Sequence, residues 1–437
     1  MALGGGTWIT QNKVLPGSYI NVISADRAGV NLSDRGYVAL PMELDWCKDE
    51  EVFTVTQEDF QKDSLKIFGY SYDSDKMKGL RDLFKNATVL YAYKLNKGVK
   101  ASNDYATAKY SGTRGNDLKI VIAANVDESN KFDVTTYLGT TEIETQTSIA
   151  RAADLVNNEF VDFKSDAELT ITAGISLTGG TNGNDVTGTE HQAFLNKIES
   201  YNYNTLGCLS TDDKVKSLYV AFVKRMRDEV GAKIQLVGYK IANGDYEGVI
   251  TVDNKVTDEG ELESSLVYWV LGIEGGCAVN KSNTNKKYNG EFTINIEYTQ
   301  TQLKNCIREG KLVLHKVGDD IKVLTDINSL ITYTKEKGQD FSSNQVMRVV
   351  DQIAIDDAIL FNTKYLGEFP NDASGRISLW NDLCDIDKKL QNLRAIENFN
   401  TEDVTVEKGE TKKSVVVNQK VTPVVAMEQM YMTTVVA

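Results

Sequence analysis

The strongest chemical signal in the sequence is a glycine pair followed by a lysine and a serine, in the segment GGCAVNKS at residues 275–282. This order nearly matches the loop that binds nucleotide phosphates, but Asn280 stands where that loop has its second glycine. Glycine is needed there because the backbone approaches the phosphate closely and often takes a positive φ angle. A predicted helix precedes the segment and a polar loop follows it. We therefore interpret it as an ordinary loop and predict no nucleotide site.

Histidine chemistry would have to use His191 or His315, since the sequence contains no other histidine. His191 falls in the first turn of a predicted helix, and His315 follows a predicted strand beside Lys316. Neither a GxSxG elbow nor an HExxH motif accompanies them. We interpret both as structural or surface residues, and the sequence predicts a protein that is not an enzyme. An α/β enzyme with an inserted β domain stays open as an alternative.

Metal-binding patterns are equally weak. The five cysteines are widely spaced and form no CxxC pair, which disfavours a zinc site or a disulfide framework and fits free thiols in a reducing compartment. The acidic pairs around Asp73 and Asp356 lack the glycine and terminal glutamate of a calcium loop. Turns and helix caps explain them, so no metal and no cofactor is predicted.

Charge and hydropathy restrict the partners. Among 437 residues, 62 are acidic and 48 basic, which gives a net charge of −14. Nucleic acids and anionic membranes both require a basic surface, so neither is expected as a partner. No apolar run approaches the ~20 residues of a membrane span. The first residues, MALGGG, show neither the basic nor the apolar region of a secretory signal peptide.

The alternation of strand and helix patterns predicts an α/β multidomain protein, with a mixed-sheet core and an inserted β-rich domain of barrel or sandwich type. Glycine- and asparagine-rich joints mark the insertion, and we expect few contacts to cross from it into the core. The predicted parts are an N-terminal arm (1–23), a first core part (24–96), the inserted domain (97–187), a second core part (188–340), a C-terminal helical domain (341–414) and a C-terminal arm (415–437).

Local patterns place individual elements within this outline. Thr56, followed by acidic residues, predicts the start of a helix. Apolar periodicity predicts helices over 212–230, ending at Gly231, and over 342–361 and 375–393. We also expect a helix over 147–158 and short strands over 168–171 and 330–333.

Both chain ends have strand character. Residues 415–437 read as terminal strands in which Val425, Met427, Tyr431 and Val435 share one face while Val424, Met430 and Met432 share the other. A strand that is apolar on both faces has to be buried on both sides and would promote aggregation as an open edge. It therefore needs a sheet, either its own or one of another copy. The N-terminal arm carries Trp8 and Ile9, a turn at Pro16-Gly17, and a strand candidate with Tyr19, Ile20 and Val22.

Several short segments, taken in order, resemble the contractile tail sheath proteins of bacteriophages and phage-tail-like particles, of the short Gram-positive type. Each segment is a weak signal by itself, but the match is collinear over essentially the whole chain. The segments are LPGSYIN at 15–21, YSGTRGNDL at 110–118, NKSNT at 280–284, DINSL at 326–330, RVVD at 348–351, GRISLW at 375–380, AIENF at 395–399 and VVAMEQMYM at 424–432.

The resemblance implies a structural subunit that polymerises as a helical tube of stacked rings around an inner tail tube and contracts to drive that tube through a cell envelope. It implies the inner tube, baseplate and tail-terminator proteins as partners, no cofactor, no membrane insertion, and assembly in the bacterial cytoplasm into a virion or tail-like particle. It further implies that the arms add strands to neighbouring subunits, through Trp8, Ile9, Tyr19, Ile20, Val22, Val424, Val425, Met427, Met430, Tyr431, Met432 and Val435. We expect the inserted domain at the outer surface and the 341–414 helices near the tube. A non-contractile tail or surface-array protein is the alternative.

Overall fold

The computed structural model describes residues 32–436 of the chain. The predicted N-terminal arm, with Trp8, Ile9, Tyr19, Ile20 and Val22, lies outside the described residues. Within the part that is described, no helix is both long and apolar enough to cross a membrane.

The described residues of the first core part, 32–96, contain three strands and two α-helices. They are β1 Tyr37–Met42, β2 Val52–Thr56, α1 Gln57–Phe68, α2 Lys78–Phe84 and β3 Val89–Lys94. The predicted helix start at Thr56 is confirmed. The Thr56 side chain accepts a hydrogen bond from the Asp59 backbone N–H, and the Asp59 carboxylate accepts one from the Thr56 N–H. This reciprocal pair satisfies two backbone donors that the helix itself leaves open.

The next segment is built from short antiparallel strands, as the sequence predicts. They are β4 Ala106–Ala108, β5 Leu118–Ala124, β6 Phe132–Leu138, β7 Thr141–Ile149, β8 Val161–Phe163 and β9 Thr172–Ser176. Four of them form a sheet in the order β7-β6-β5-β9, while β4 pairs with β8. Along most of β5 and β6 alternate side chains are buried, including Leu118, Ile120, Ile122, Val134 and Leu138.

Two of the local predictions in this segment are wrong. The helix expected over 147–158 is replaced by the end of β7 and a 3₁₀ turn at Ala152–Asp154. Pairing with β6 holds this part extended, since Thr145 lies opposite Thr135 and Ile149 opposite Phe132. Tertiary pairing here overrides the local preference. The strand expected over 168–171 begins only at Thr172.

The second core part alternates helices and strands. Its elements are α3 Gly188–Ile198, β10 Thr205–Cys208, α4 Asp213–Arg225, β11 Gln235–Tyr239, β12 Val249–Val252, α5 Leu266–Gly276, α6 Gln300–Arg308, β13 Lys311–Leu312, β14 Leu314–Val317 and β15 Asp320–Val323. A π-helical turn at Met226–Val230 extends α4, and Gly231 ends it with a positive φ of 91°. The predicted helix end is therefore confirmed.

The two core parts share one seven-stranded sheet in the order β13-β12-β11-β10-β1-β3-β2. All neighbours are parallel except β2, which runs antiparallel to β3 at the edge. Helices α1, α2 and α5 contribute to the apolar cluster on one face, and α3 and α4 contribute to the cluster on the other. Strands β10, β11 and β12 are buried throughout, as expected for parallel strands covered on both faces. The α/β architecture is confirmed.

The C-terminal part pairs two long helices with short strands. They are α7 Asn344–Leu360, α8 Ala373–Asn392, β16 Ile396–Glu397, β17 Val404–Lys408, β18 Val415–Gln419 and β19 Thr422–Pro423. The strand predicted over 330–333 is instead a loop. The backbone N–H groups of Ile331 and Thr332 both donate to the Asp245 carboxylate, so a side chain replaces the strand partner.

The predicted C-terminal arm divides at Pro423. Strand β18 pairs antiparallel with β17, from Val404 opposite Gln419 to Lys408 opposite Val415, and β19 pairs with β16. The prediction that residues 415–423 pair with other subunits is therefore wrong, because these residues complete sheets of their own chain. Residues 424–436 form no strand.

Candidate functional site

A buried arginine lies where α7 meets the core. Arg348 is 1% exposed and donates from Nη1 to a Glu274 carboxylate oxygen at 2.7 Å. Its Nη2 donates to the Asp326 carboxylate and, at 3.0 Å, to the Lys281 carbonyl oxygen. One side chain of α7 thus binds the end of α5 and two separate loops.

Two asparagines complete this cluster. The Asn283 backbone N–H donates to Asp326 at 2.9 Å, and its side-chain amide donates to Glu274 at 2.9 Å. The Asn344 amide donates to the other Asp326 oxygen at 2.9 Å. Buried charges are tolerated when they are paired and hydrogen-bonded in this way.

The two carboxyl groups of the cluster differ in protonation behaviour. Burial, and then the negative charge of Asp326, raise the pKa of Glu274. Burial opposes ionisation of Asp326 too, but the Arg348 charge and the hydrogen bonds to it keep the pKa of Asp326 below its usual range. The cluster therefore favours one fully ionised pair, between Arg348 and Asp326, over two competing carboxylates.

A second buried ion pair lies one helical turn further along α7. Arg227, in the π-helical turn after α4, donates from Nη1 and Nη2 to the two oxygens of Asp351 at 2.8 and 2.7 Å. Its Nη1 also donates to the Ile234 carbonyl oxygen at 3.0 Å. We call the residues Arg348, Glu274, Asp326, Asn283, Asn344, Arg227 and Asp351 the buried junction.

Three of the motifs that carry the resemblance meet in this junction. NKSNT supplies Asn283, DINSL supplies Asp326, and RVVD supplies both Arg348 and Asp351. Sequence reasoning missed Glu274, Asn344 and Arg227. Glu274 carries a usable signal, because it is the single charge in the otherwise apolar stretch from Leu266 to Gly276. Arg227 carries none, since it lies in an amphipathic pattern where surface arginines are ordinary.

The chemistry of the junction is that of a structural contact that holds α7 to the core. Each carboxylate oxygen of Asp326 and Glu274 already accepts a hydrogen bond. The glycine pair that resembles part of a phosphate-binding loop instead allows close packing of the backbone. A Cβ on Gly276 would lie 1.9 Å from the Asn86 carbonyl oxygen, so only glycine lets α5 approach the segment after α2.

Neither histidine is one of the residues of the buried junction. His191 is buried, and its Nδ1 lies 2.8 Å from the Tyr219 hydroxyl. Burial lowers the pKa of His191 to about 4. His315 lies on β14 opposite Lys322. Among residues 32–436, no group of three His, Cys, Asp or Glu side chains is placed to hold a metal ion.

The joint between the core and the inserted segment is more extensive than predicted. Trp46 of the core is 1% exposed and packs against Tyr110 and Phe160, with ring centroids 5.2 and 5.9 Å apart. Buried Lys94 donates to the carbonyl and hydroxyl oxygens of Ser111. The expectation of few crossing contacts is wrong.

The YSGTRGNDL motif supplies part of this joint. A Cβ on Gly112, whose φ is +128°, would lie 2.0 Å from the Asp45 carbonyl oxygen, so the close approach requires glycine. Arg114 donates from Nε to the Gly69 carbonyl oxygen at 2.8 Å, and its guanidinium lies 4.5 Å from the centre of the Tyr70 ring.

The predicted C-terminal interface residues lie at the surface. Val424 is half-buried, and its N–H donates to the Ala395 carbonyl oxygen. The remaining side chains are between 52% and 100% exposed, namely Val425, Met427, Met430, Tyr431, Met432 and Val435. The structure does not bring them together with a sheet of their own chain.

Sequence models of one protein family match successive parts of the chain. The matches are the tail sheath protein Gp18 domain III N-terminal region at 35–95, the phage tail sheath protein beta-sandwich domain at 96–183, the phage tail sheath protein central domain at 184–329 and the phage tail sheath C-terminal domain at 336–437.

Individual proteins agree with these matches. The phage-like element PBSX protein XkdK of Bacillus subtilis is 31% identical over 98% of this chain and 99% of its own length. The crystal structure of a sheath tail protein from Desulfitobacterium hafniense is 33% identical and superposes with a TM-score of 0.82 over 93% of this chain and 96% of that one. The anti-feeding prophage helical sheath in its contracted state, 13% identical over 97% of this chain and 99% of that one, shares the fold with a TM-score of 0.59.

Full-length similarity to XkdK and four consecutive domain matches lead to one assignment: the chain belongs to the phage tail sheath protein family and is a tail sheath subunit.

Proposed function

We propose that copies of this subunit polymerise as a helical tube around an inner tail tube and that the tube contracts to drive its contents through a bacterial envelope. The observation that carries this proposal is the exposed apolar segment at 425–436. Large side chains such as Met430, Tyr431 and Val435 gain roughly 1.5–3 kcal/mol each when fully buried. An exposed apolar segment of this kind is suited to pair with another copy.

A second copy of this chain offers an acceptor for the segment. An open groove of about 940 Å³ runs beside β16 and is lined in part by Ile396, Glu397, Phe399 and Val424. Pairing along β16 would add a strand to the small β16–β19 sheet through main-chain hydrogen bonds, each contributing roughly 0.5–1.5 kcal/mol net. Because the donor segment and the acceptor groove are different surfaces of the chain, the contact is heterologous, and such contacts generate rings or open helical arrays rather than an isologous pair.

Contraction requires subunits that turn as units while their connections persist. The buried junction supports such behaviour, since two arginine clusters hold α7 to the core. The shared fold with the contracted anti-feeding prophage sheath supports it as well. We place the 341–414 helices toward the inner tube, the inserted domain toward the outside, and the whole subunit in the tail of a virion or tail-like particle. Baseplate and terminator proteins would contact the two ends of the tube.

Electron microscopy of a truncated chain tests the proposal. Removing the whole predicted arm, for example by truncation after Lys420, would also remove β19. The informative variant therefore ends after Glu428, because it keeps all the strands of the described residues. We expect it to fold normally and to form no tubes under conditions in which the full chain does. Tyr431→Asp with Val435→Asp should give the same result without shortening the chain.

A matched control is Val126→Asp, which places a charge at a side chain that is 95% exposed within the inserted domain. This variant should still form tubes. Tubes of full length from the truncated chain would overturn the exchange of the C-terminal segment. Tubes that never shorten on triggering would favour a non-contractile tail or surface array.

A further inference from the structure

The C-terminal segment does not leave the subunit directly after its last strand. The Ala426 N–H donates to the Gln345 side-chain oxygen at 2.9 Å. Two residues later, the Glu428 carboxylate accepts hydrogen bonds from the hydroxyls of Thr284 at 2.6 Å and Thr325 at 2.9 Å. These contacts hold the segment against the loops that contain NKSNT and DINSL.

The Thr284 hydroxyl that binds Glu428 is itself held by the Asp326 backbone. Thr284 Oγ1 accepts the Asp326 N–H at 2.9 Å, while Asp326 is itself bound by Arg348 and Asn283. A hydroxyl has one hydrogen to donate and two lone pairs. The Thr284 oxygen accepts hydrogen bonds from the Asp326 N–H and the Ser282 hydroxyl, and its own hydrogen is donated to the Glu428 carboxylate. The binding position for Glu428 is thus built on the buried junction.

Beyond Glu428 the contacts with the body of the subunit change. The Tyr431 hydroxyl donates to Gln429 within the segment itself, and the side chains of Met430, Tyr431, Met432 and Val435 are at least 74% exposed. Two exposed apolar side chains of the arm, Val425 and Met427, thus lie among the polar contacts, and the four named above lie beyond them.

We propose that Glu428 is a positioning residue that keeps the base of the arm on its own subunit, so that only residues 429–436 cross to a neighbouring copy. This inference rests on the arm exchange proposed above. Eight extended residues reach roughly 26 Å at ~3.3 Å each. An arm that starts from a fixed point loses less freedom on pairing than one that swings from Pro423, and this preorganisation favours assembly.

The first test removes the polar contacts and leaves the apolar arm intact. Glu428→Ala, or Thr284→Val with Thr325→Val, should raise the critical concentration for tube formation about fivefold, which corresponds to about 1 kcal/mol. Glu410→Ala, in the exposed turn between β17 and β18, is the control and should leave it unchanged. Unchanged critical concentrations in both Glu428→Ala and the double threonine variant would overturn the proposal.

The second test asks whether the contact persists in the tube. Thr325→Cys with Glu428→Cys can be joined by a short, reducible bifunctional thiol reagent, since all five native cysteines are buried. We expect the unlinked variant to assemble poorly and the linked one to recover tubes at wild-type concentration. Tubes that form only after the link is reduced would show that the arm has to leave this position, and would overturn the proposal.

The truncation after Glu428 separates the two ideas. If the truncated chain still forms tubes, the arm exchange itself is wrong. If it forms none while Glu428→Ala assembles like wild type, the exchange stands and the positioning role of Glu428 falls.

Discussion

Arg227 and Asp351 form a bidentate ion pair inside the protein, with two nitrogen–oxygen distances of 2.7 and 2.8 Å. The two residues are 124 positions apart in the sequence. Their side chains are 4% and 6% exposed. The pair joins the end of α4 to the middle of α7, and so connects the core with the C-terminal helices.

Removing one partner of this pair should destabilise the protein strongly. Asp351→Asn leaves the Arg227 charge buried without its counterion, which typically costs about 3–5 kcal/mol. The free energy of unfolding, measured with denaturant, should fall by that amount. Glu58→Gln breaks an exposed pair with Lys62 and serves as the control, for which we expect almost no change. An equal loss of unfolding free energy in the two variants would show that the buried pair stabilises the protein no more than the exposed pair does.

Asp357 should make the protein less stable as pH rises. Burial, followed by the charges of Asp387 and Asp356, raises the pKa of Asp357 to about 7. A pKa raised on folding contributes stability at low pH that is lost as pH rises from about 4 toward 7. Asp357→Asn removes this loss, so the variant should exceed wild type by about 1–3 kcal/mol at pH 8 and by much less at pH 4.

The control for this measurement is Asp385→Asn, on α8, whose exposed carboxylate pairs with Lys388. Denaturant midpoints at pH 4, 6 and 8 should show a pH-dependent gain for Asp357→Asn alone. A gain of equal size at all three pH values would point to packing rather than to ionisation.

His191 should act in the opposite direction at acidic pH. Burial lowers the pKa of His191 to about 4, whereas an unfolded histidine titrates near 6.5. Because the unfolded chain binds the proton first, stability is lost as pH falls from about 6.5 to about 4. His191→Asn should reduce this loss, which is measured as the difference between variant and wild type in thermal unfolding at pH 7 and pH 4.5. An identical pH dependence in the two proteins would contradict the assignment.

Deleting the inserted domain should require a compensating change in the core. Removal of residues 97–187 strips Tyr110 and Phe160 from Trp46 and exposes a large apolar surface. The deletion alone should aggregate, whereas the deletion combined with Trp46→Ser should remain soluble and form tubes if the domain lies outside. Light scattering and electron microscopy distinguish these outcomes. A soluble double variant that never assembles would show that the domain takes part in polymerisation.

Thiol labelling can test which surface faces the tube. Ile377 on α8 is 59% exposed and Val126 of the inserted domain is 95% exposed. In tubes built around the inner tube, Ile377→Cys should be protected from a maleimide reagent, while Val126→Cys should react as in the free subunit. Protection of Val126→Cys with full reaction of Ile377→Cys would reverse the proposed orientation.

The sequence by itself determined the elements whose signals are local. The cap at Thr56, the helix end at Gly231 and the periodicity of α4, α7 and α8 each depend on residues within a few positions, so the α/β pattern could be predicted. The order of the short motifs likewise indicates the family from the sequence alone, without the contacts of the folded chain.

Only the tertiary structure decided what depends on distant partners. β7 is a strand because it pairs with β6. Residues 415–423 pair within their own chain because β16 and β17 present free strand edges to them. Arg348 reaches Glu274 across 74 residues. No local pattern distinguishes a charge that will be buried and paired from one that stays in water, because the chain topology selects its partner.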